Sequence, residues 1–214
     1  MFKYLKINIL FVIIFSLTSF DLLAANKYWV ASDCSVTNDF SNNANWSETI
    51  DGPGGARRPN NNDVAIFGET ADSSDCNAEL TSRNVIQRLL LKNNYNGTVS
   101  VANNQILTLR QNFTIHEGTL FLGTDATLNA AQGMSHIQDG GTLSAANALL
   151  VKIFPSLNIK SGGTFIAPAK NTLFQGGFIN RGTFTHSNGT VTFAPKGNSY
   201  QVETNGTGTG KDFY

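Results

Sequence analysis

The sequence predicts an all-β chain, a right-handed parallel β-helix with three short strands per coil of about 21–22 residues, led by a loop-rich cap. Three observations carry that expectation. Among 214 residues there are 25 Asn, 21 Thr and 20 Gly, which favour turns and strands and make poor helices. The tripeptide Gly-Thr-hydrophobic recurs at Gly97, Gly118, Gly141, Gly163 and Gly182, in steps of 21, 23, 22 and 19 residues. Between these anchors fall two further apolar pieces, so each period holds three strands and three turns. A two-sheet sandwich would supply as many strands without that register. The hand follows only from the general rule for parallel crossovers.

The elements follow in order. Lys3 and Lys6 precede an apolar run over Ile7–Phe20, and Leu22-Leu23-Ala24-Ala25 offers small residues before Asn26. Charged start, apolar middle and small-residue end make a signal peptide over residues 1–25, cleaved after Ala25. Its apolar core is about 14 residues, short of the roughly 20 a membrane span needs. No Cys follows the small residues to carry a lipid, and the mature chain has no second apolar stretch, so no membrane span is expected in it. Export places the chain outside the cell or at its surface, with the periplasm as the other compartment. Disulfides survive there, and the only two cysteines, Cys34 and Cys76, are expected to pair.

Residues 26–80 read as the cap. They contain nine acidic residues against Lys27, Arg57 and Arg58, both tryptophans, and the turn-rich run from Asp51 to Asp63. Two strands stand out within them, Lys27–Ala31 and Val64–Phe67. Residues 81–193 carry the repeats. Their expected inward ladder is Leu120, Leu143, Phe165 and Phe184, with Leu122, Ala145 and Ala167 two residues on. Ile115, Ile137, Ile159 and Ile179 mark a strand-like piece before the later anchors, and Leu128, Leu149, Leu173 and Val191 one after them. Residues 194–214 read as the start of a further coil or a flexible end, because Gly and Thr dominate 204–210. That open edge invites self-association.

Lys27-Tyr-Trp-Val30, Asn45-Trp46-Ser47, Gly52–Gly55, Pro59 to Phe67 and the Gly-Thr repeats together resemble the N-terminal region of large bacterial secreted β-solenoid surface proteins. These are adhesin- or haemagglutinin-like, of the pectate-lyase-like β-helix type. The resemblance implies a leading cap, a long repeat stalk and a surface location.

Charge and side-chain chemistry bound the function. The formal net charge is zero, and a nucleic-acid binder would need a concentrated basic face. The hydrophobic content of 41% is too high for a disordered chain. A β-helix lyase needs acidic calcium ligands and a basic proton acceptor on one face, and a glycoside hydrolase needs two carboxylates. Residues 95–193 hold only Glu117, Asp125 and Asp139. Glu117 and Asp139 each precede an anchor and fall on adjacent coils, but Ser161 and Asn180 follow them, so the acidic row stops. His116, His136 and His186 belong to different coils and share no metal spacing. In the cap, Asp51, Asp63, Asp72 and Asp75 with Asn60–Asn62 leave a structural Ca²⁺ as the second reading, after solvated loops. An outward row of Thr98, Thr119, Thr142, Thr164 and Thr183 raises ice binding, against which Phe121 and Ile166 break the neighbouring row. The expectation is a non-enzymatic exported surface protein without catalytic residues or cofactor, a stalk or adhesin-like module for adhesion or glycan contact. A polysaccharide lyase or glycoside hydrolase is the alternative, and the partner, glycan or surface protein, is not specified by the residues.

Overall fold

The computed structural model describes residues 24–154, 156–196 and 201–204, and within them the chain winds into a parallel β-solenoid of six complete coils. The expected signal peptide and the Gly/Thr-rich end lie outside the described residues, apart from Ala24, Ala25 and Thr204. Three sheets run along the coil axis. The first has nine strands, Trp46–Ser47, Ala25–Trp29, Asp63–Phe67, Arg88–Leu91, Phe113–Ile115, Met134–Ile137, Ser156–Ile159, Phe178–Asn180 and Val202–Thr204. The second has seven, Asn38–Asp39, Ala78–Leu80, Thr98–Val101, Gly118–Leu122, Gly141–Ser144, Thr164–Ile166 and Thr183–Thr185. The third has six, Asn84–Ile86, Ile106–Leu109, Thr127–Ala130, Leu150–Ile153, Asn171–Phe174 and Thr190–Phe193. Each coil takes one strand from each sheet. No α-helix occurs among the described residues, only two 3₁₀ turns.

Short strands suffice because every ladder bond is made to the coil before or after, about 4.8 Å away. In the second sheet Val99, Leu120, Leu143, Phe165 and Phe184 stand opposite one another along the axis. Leu120, Leu143 and Phe165 are fully buried and Phe184 nearly so. Glycine is needed just before this column, where the chain approaches the previous coil. A Cβ on Gly163 would sit 2.7 Å from the Ile137 carbonyl oxygen, closer than carbon and oxygen can stand. Asn104 and Asn188 take the left-handed conformation at corners between the second and third sheets, where Asn tolerates it best among residues with side chains.

The apolar residues flanking the anchors do not all fall in one column. Ile115, Ile137 and Ile159 align, but Asn180 completes the column and Ile179 points outward. The reason is corner length. Three residues separate Ile137 from Gly141 and Ile159 from Gly163, whereas only Arg181 separates Asn180 from Gly182. The shorter corner is closed by the buried Asn180 side chain, which accepts the Gly182 N–H at 3.1 Å. In the third sheet the column is Leu128, Val151, Thr172 and Val191. Leu173 faces out beside Lys152, and Leu149 lies in the corner, 44% exposed. Phe174 decides that parity. Its ring stacks on Phe193 at 5.4 Å and meets Phe178 at 4.8 Å, and a strand that buries residue 174 must turn residue 173 out.

The parallel ladders do not begin at residue 81. Ala25–Trp29 already pairs in parallel with Asp63–Phe67, which pairs with Arg88–Leu91, and Asn38–Asp39 pairs with Ala78–Leu80. What differs in this segment is its closure. Trp46–Ser47 adds the one antiparallel strand of the first sheet, and Trp29, Phe40, Trp46 and Phe67 pack as a ring cluster with centroids 4.8–6.4 Å apart. Trp46 Nε1 donates to the Phe40 carbonyl at 2.8 Å. Cys34 and Cys76 are joined in a disulfide across 42 positions. Tyr95 extends the cluster into the next coil, and its hydroxyl donates to the Cys76 carbonyl at 3.0 Å. Burial pushes that phenol well above its ordinary range. At the other end Val202–Thr204 lies against Phe178–Asn180 and opens a seventh coil.

Candidate functional site

The corner between the first and second sheets brings a histidine and two carboxylates of the coils together. His116 and Gln138 are stacked there, each donating its backbone N–H to the preceding coil, at 2.8 and 2.7 Å. Glu117 and Asp139 follow them in sequence and, with Asn93, line one hollow of about 230 Å³. The structure therefore brings the two carboxylates onto one corner. The row ends there, since the next coil offers Ser161. Burial and the nearby Lys92 ammonium hold His116 below its ordinary range, against the smaller opposing pull of Glu117. His136 lies on the outward face of the first sheet, between Thr114 and Asn158. Burial, Lys160 and His116 push its pKa down as well. His186 sits in a separate turn, where its Nδ1 accepts the Asn188 N–H at 3.0 Å. Among the described residues no three His, Cys, Asp or Glu side chains converge as a metal set.

The acidic cap residues are spread out. Asp63, almost fully buried, accepts the Asn60 N–H at 2.9 Å and an Arg57 guanidinium at 3.4 Å. Asp75 accepts from Asn96 at 3.1 Å, Asn60 accepts the Asn62 N–H, and Asn62 accepts from Arg110. Asp51 and Asp72 face a separate small hollow of about 150 Å³ beside Thr70. The hard oxygens counted together in the sequence thus divide among three places.

The Thr row is in register from Thr98 through Thr119, Thr142 and Thr164 to Thr183. Beside it run Ser100, Phe121, Ser144, Ile166 and Thr185, and Phe121 stands 40% exposed in that face.

The corner from the third sheet to the first has a different character. Thr108, Asn129 and Lys152 form one outward column of the third sheet. They are turned out because Leu109, Ala130 and Ile153 are turned in. Around the bend, Phe154 donates its N–H to Ala130 at 2.8 Å, Gln175 to Ile153 at 3.0 Å, and Lys196 to Gln175 at 3.4 Å. Arg83, just before the first strand of this sheet, completes a cleft of about 430 Å³ that also takes in Asn129, Lys152, Phe154, Gln175 and Lys196. A second hollow of about 240 Å³ adjoins on the same corner, lined by Asn61, Asn62, Gln87, Arg110, Gln111 and Gln132. Neither hollow has a carboxylate in its wall. The coil acids lie elsewhere: Asp125 pairs with Lys170 and Glu203 with Arg181, while Glu117 and Asp139 occupy the first corner.

Sequence reasoning missed this corner. Its one visible signal was the imbalance of ten basic against five acidic residues over 81–214. No family model matches the chain, and no curated protein or solved structure does either. Among the described residues no helix is long and apolar enough to cross a membrane.

Proposed function

We propose that the chain is an exported, non-enzymatic surface protein whose β-solenoid serves as a stalk or adhesin-like module in contact with glycans. The observation that carries this reading is the corner between the third and first sheets. There amide and cationic side chains from successive coils form shallow hollows along the axis, suited to an extended partner lying across several coils. The likeness of the Tyr-Trp-Val, Asn-Trp-Ser and Gly-Thr segments to adhesin-like solenoids supports the same reading. A polysaccharide lyase or glycoside hydrolase is the second reading, favoured by Glu117 and Asp139 flanking one hollow with His116. Binding of residues 26–214 to an immobilised glycan panel, alongside assays for unsaturated products and new reducing ends with and without Ca²⁺, decides between them. Retention on glycans without turnover is the expected result. Turnover on any pectic or uronic polymer overturns the non-enzymatic reading.

A further inference from the structure

We propose that the cleft between the third and first sheets binds a polysaccharide carrying anionic substituents, sulfate or carboxylate, laid along the coil axis. This rests on the glycan-contact reading above and names the class of glycan.

Arg83, Lys152 and Lys196 come from the first, fourth and sixth coils of the third sheet. Five steps of about 4.8 Å place the outer two roughly 24 Å apart along the axis. They share one continuous cleft, so they form a row and not a point. Among the described residues none of the three makes an ion pair, in contrast to Lys27, Arg57, Lys92, Lys170 and Arg181. With no acid in the wall, nothing within the cleft neutralises them, and their mutual repulsion is relieved by an anion of matching spacing.

The remaining wall has the chemistry of a sugar site. Phe154 offers a half-buried ring, and Asn129, Thr108 and Gln175 offer groups that both donate and accept hydrogen bonds. A neutral glycan would use the ring and amides and leave three cations without a role. A bare polyanion would use the cations and leave the ring without one. A sugar polymer bearing charges uses both sets. The repeat of the coil supplies the register, since each coil presents equivalent positions one strand spacing further on.

The test measures binding of residues 26–214 to dextran sulfate, polygalacturonate, unsubstituted dextran and duplex DNA at fixed ionic strength. Four proteins are compared: the unaltered chain, Lys152→Glu, Phe154→Ala and Lys160→Glu. Lys160 lies on the opposite corner, so Lys160→Glu changes the net charge equally without touching the cleft. Circular dichroism establishes that each variant is folded. Dextran sulfate or polygalacturonate should bind and unsubstituted dextran should not, and whichever anionic polymer binds identifies the substituent as sulfate or carboxylate. Lys152→Glu should weaken binding about tenfold or more, the order expected for one charge-assisted contact. Phe154→Ala should weaken it severalfold, and Lys160→Glu less than twofold. Unsubstituted dextran bound as tightly as dextran sulfate overturns this proposal and leaves the glycan-contact reading standing. Equal losses for Lys152→Glu and Lys160→Glu, or duplex DNA bound as tightly as the polysaccharides, also overturn it, because a diffuse field would then be responsible. Failure to bind any polysaccharide removes both readings.

Discussion

The leading segment and the repeating coils are built on the same three sheets, yet they are held together by different means. Between residues 25 and 95 the core centres on an aromatic cluster in which Trp29, Phe40, Trp46, Phe67 and Tyr95 come from five separate chain segments. Further along, Val99, Leu120, Leu143, Phe165 and Phe184 repeat one position in successive coils, each in register with its equivalent in the neighbouring coil. Damage should therefore spread differently. A lost ring at the leading end removes a contact shared by several segments, while a lost aliphatic in a middle coil weakens two neighbouring interfaces.

Trp46→Ala is the sharpest way to expose that difference. The side chain is fully buried, packs on three rings and satisfies the Phe40 carbonyl, so its removal should cost about 4 kcal/mol. Leu143→Ala, also fully buried, should cost about 3 kcal/mol. Hydrogen exchange distinguishes their reach. Trp46→Ala should lose protection from Ala25–Trp29 through Arg88–Leu91 together, whereas Leu143→Ala should lose it in the strands flanking Gly141–Ser144. Equal and uniform loss in both variants would remove the distinction between the two regions.

The disulfide acts on the same comparison from the unfolded side. Joining Cys34 to Cys76 closes a 42-residue separation, worth about 3–4 kcal/mol by loop-closure entropy. Cys34→Ser with Cys76→Ser should lower the denaturant midpoint accordingly and raise exchange in Asn38–Asp39 and Ala78–Leu80, which the bridge ties together. An unchanged midpoint would mean that the ring cluster alone holds the leading end.

Much of the architecture was legible because the Gly-Thr anchors bracket the second-sheet column, so Leu120 and its equivalents could be read by counting from them. Counting failed where corners change length. Ile179 and Leu173 keep the spacing of their equivalents yet face outward, because the one-residue corner at Arg181 and the Phe174 ring set the opposite parity. The leading boundary at residue 80 was placed by composition, which registers acidic loops and not the parallel pairing of Asp63–Phe67 with Arg88–Leu91. The cationic cleft had no motif to find. Arg83, Lys152 and Lys196 are distant in sequence, and only the coil register puts them along one cleft.

The inward column of the third sheet suggests a stabilising change. Thr172 is 1% exposed, stands between Val151 and Val191, and its Oγ1 has no hydrogen-bond partner. Thr172→Val keeps the shape and removes a buried hydroxyl, so stability should rise by about 1 kcal/mol. A higher thermal midpoint checks it. A lower one would mean the hydroxyl is satisfied by water, and the coil core would be less dry there than the leading end.

The smallest effect separates the two regions by pH. His116 and His136, both in the coils, titrate below the ordinary value of 6.5 because burial and neighbouring cations oppose their charged forms. The unfolded chain therefore takes up protons on these groups before the folded one does. Their contribution is fully present above about pH 6.5 and is lost as pH falls from there through the folded values. At the leading end the lowered groups are carboxylates. Asp33 is held down by hydrogen bonds from Ser35, and Glu48 by Lys27. Those contributions survive above the ordinary carboxylate range, about pH 4, and are lost only as pH falls below it. Acid should thus loosen the coils first and the leading end later. Exchange followed stepwise from pH 7.5 to 3.5, corrected for the intrinsic rate, should show protection falling in Phe113–Ile115 and Met134–Ile137 before it falls in Ala25–Trp29. His136→Gln should flatten the first step and leave the second in place, because a neutral amide cannot take up the proton that the half-buried imidazole resists. An unaltered first step in that variant would assign the acid sensitivity of the coils to a group other than His136.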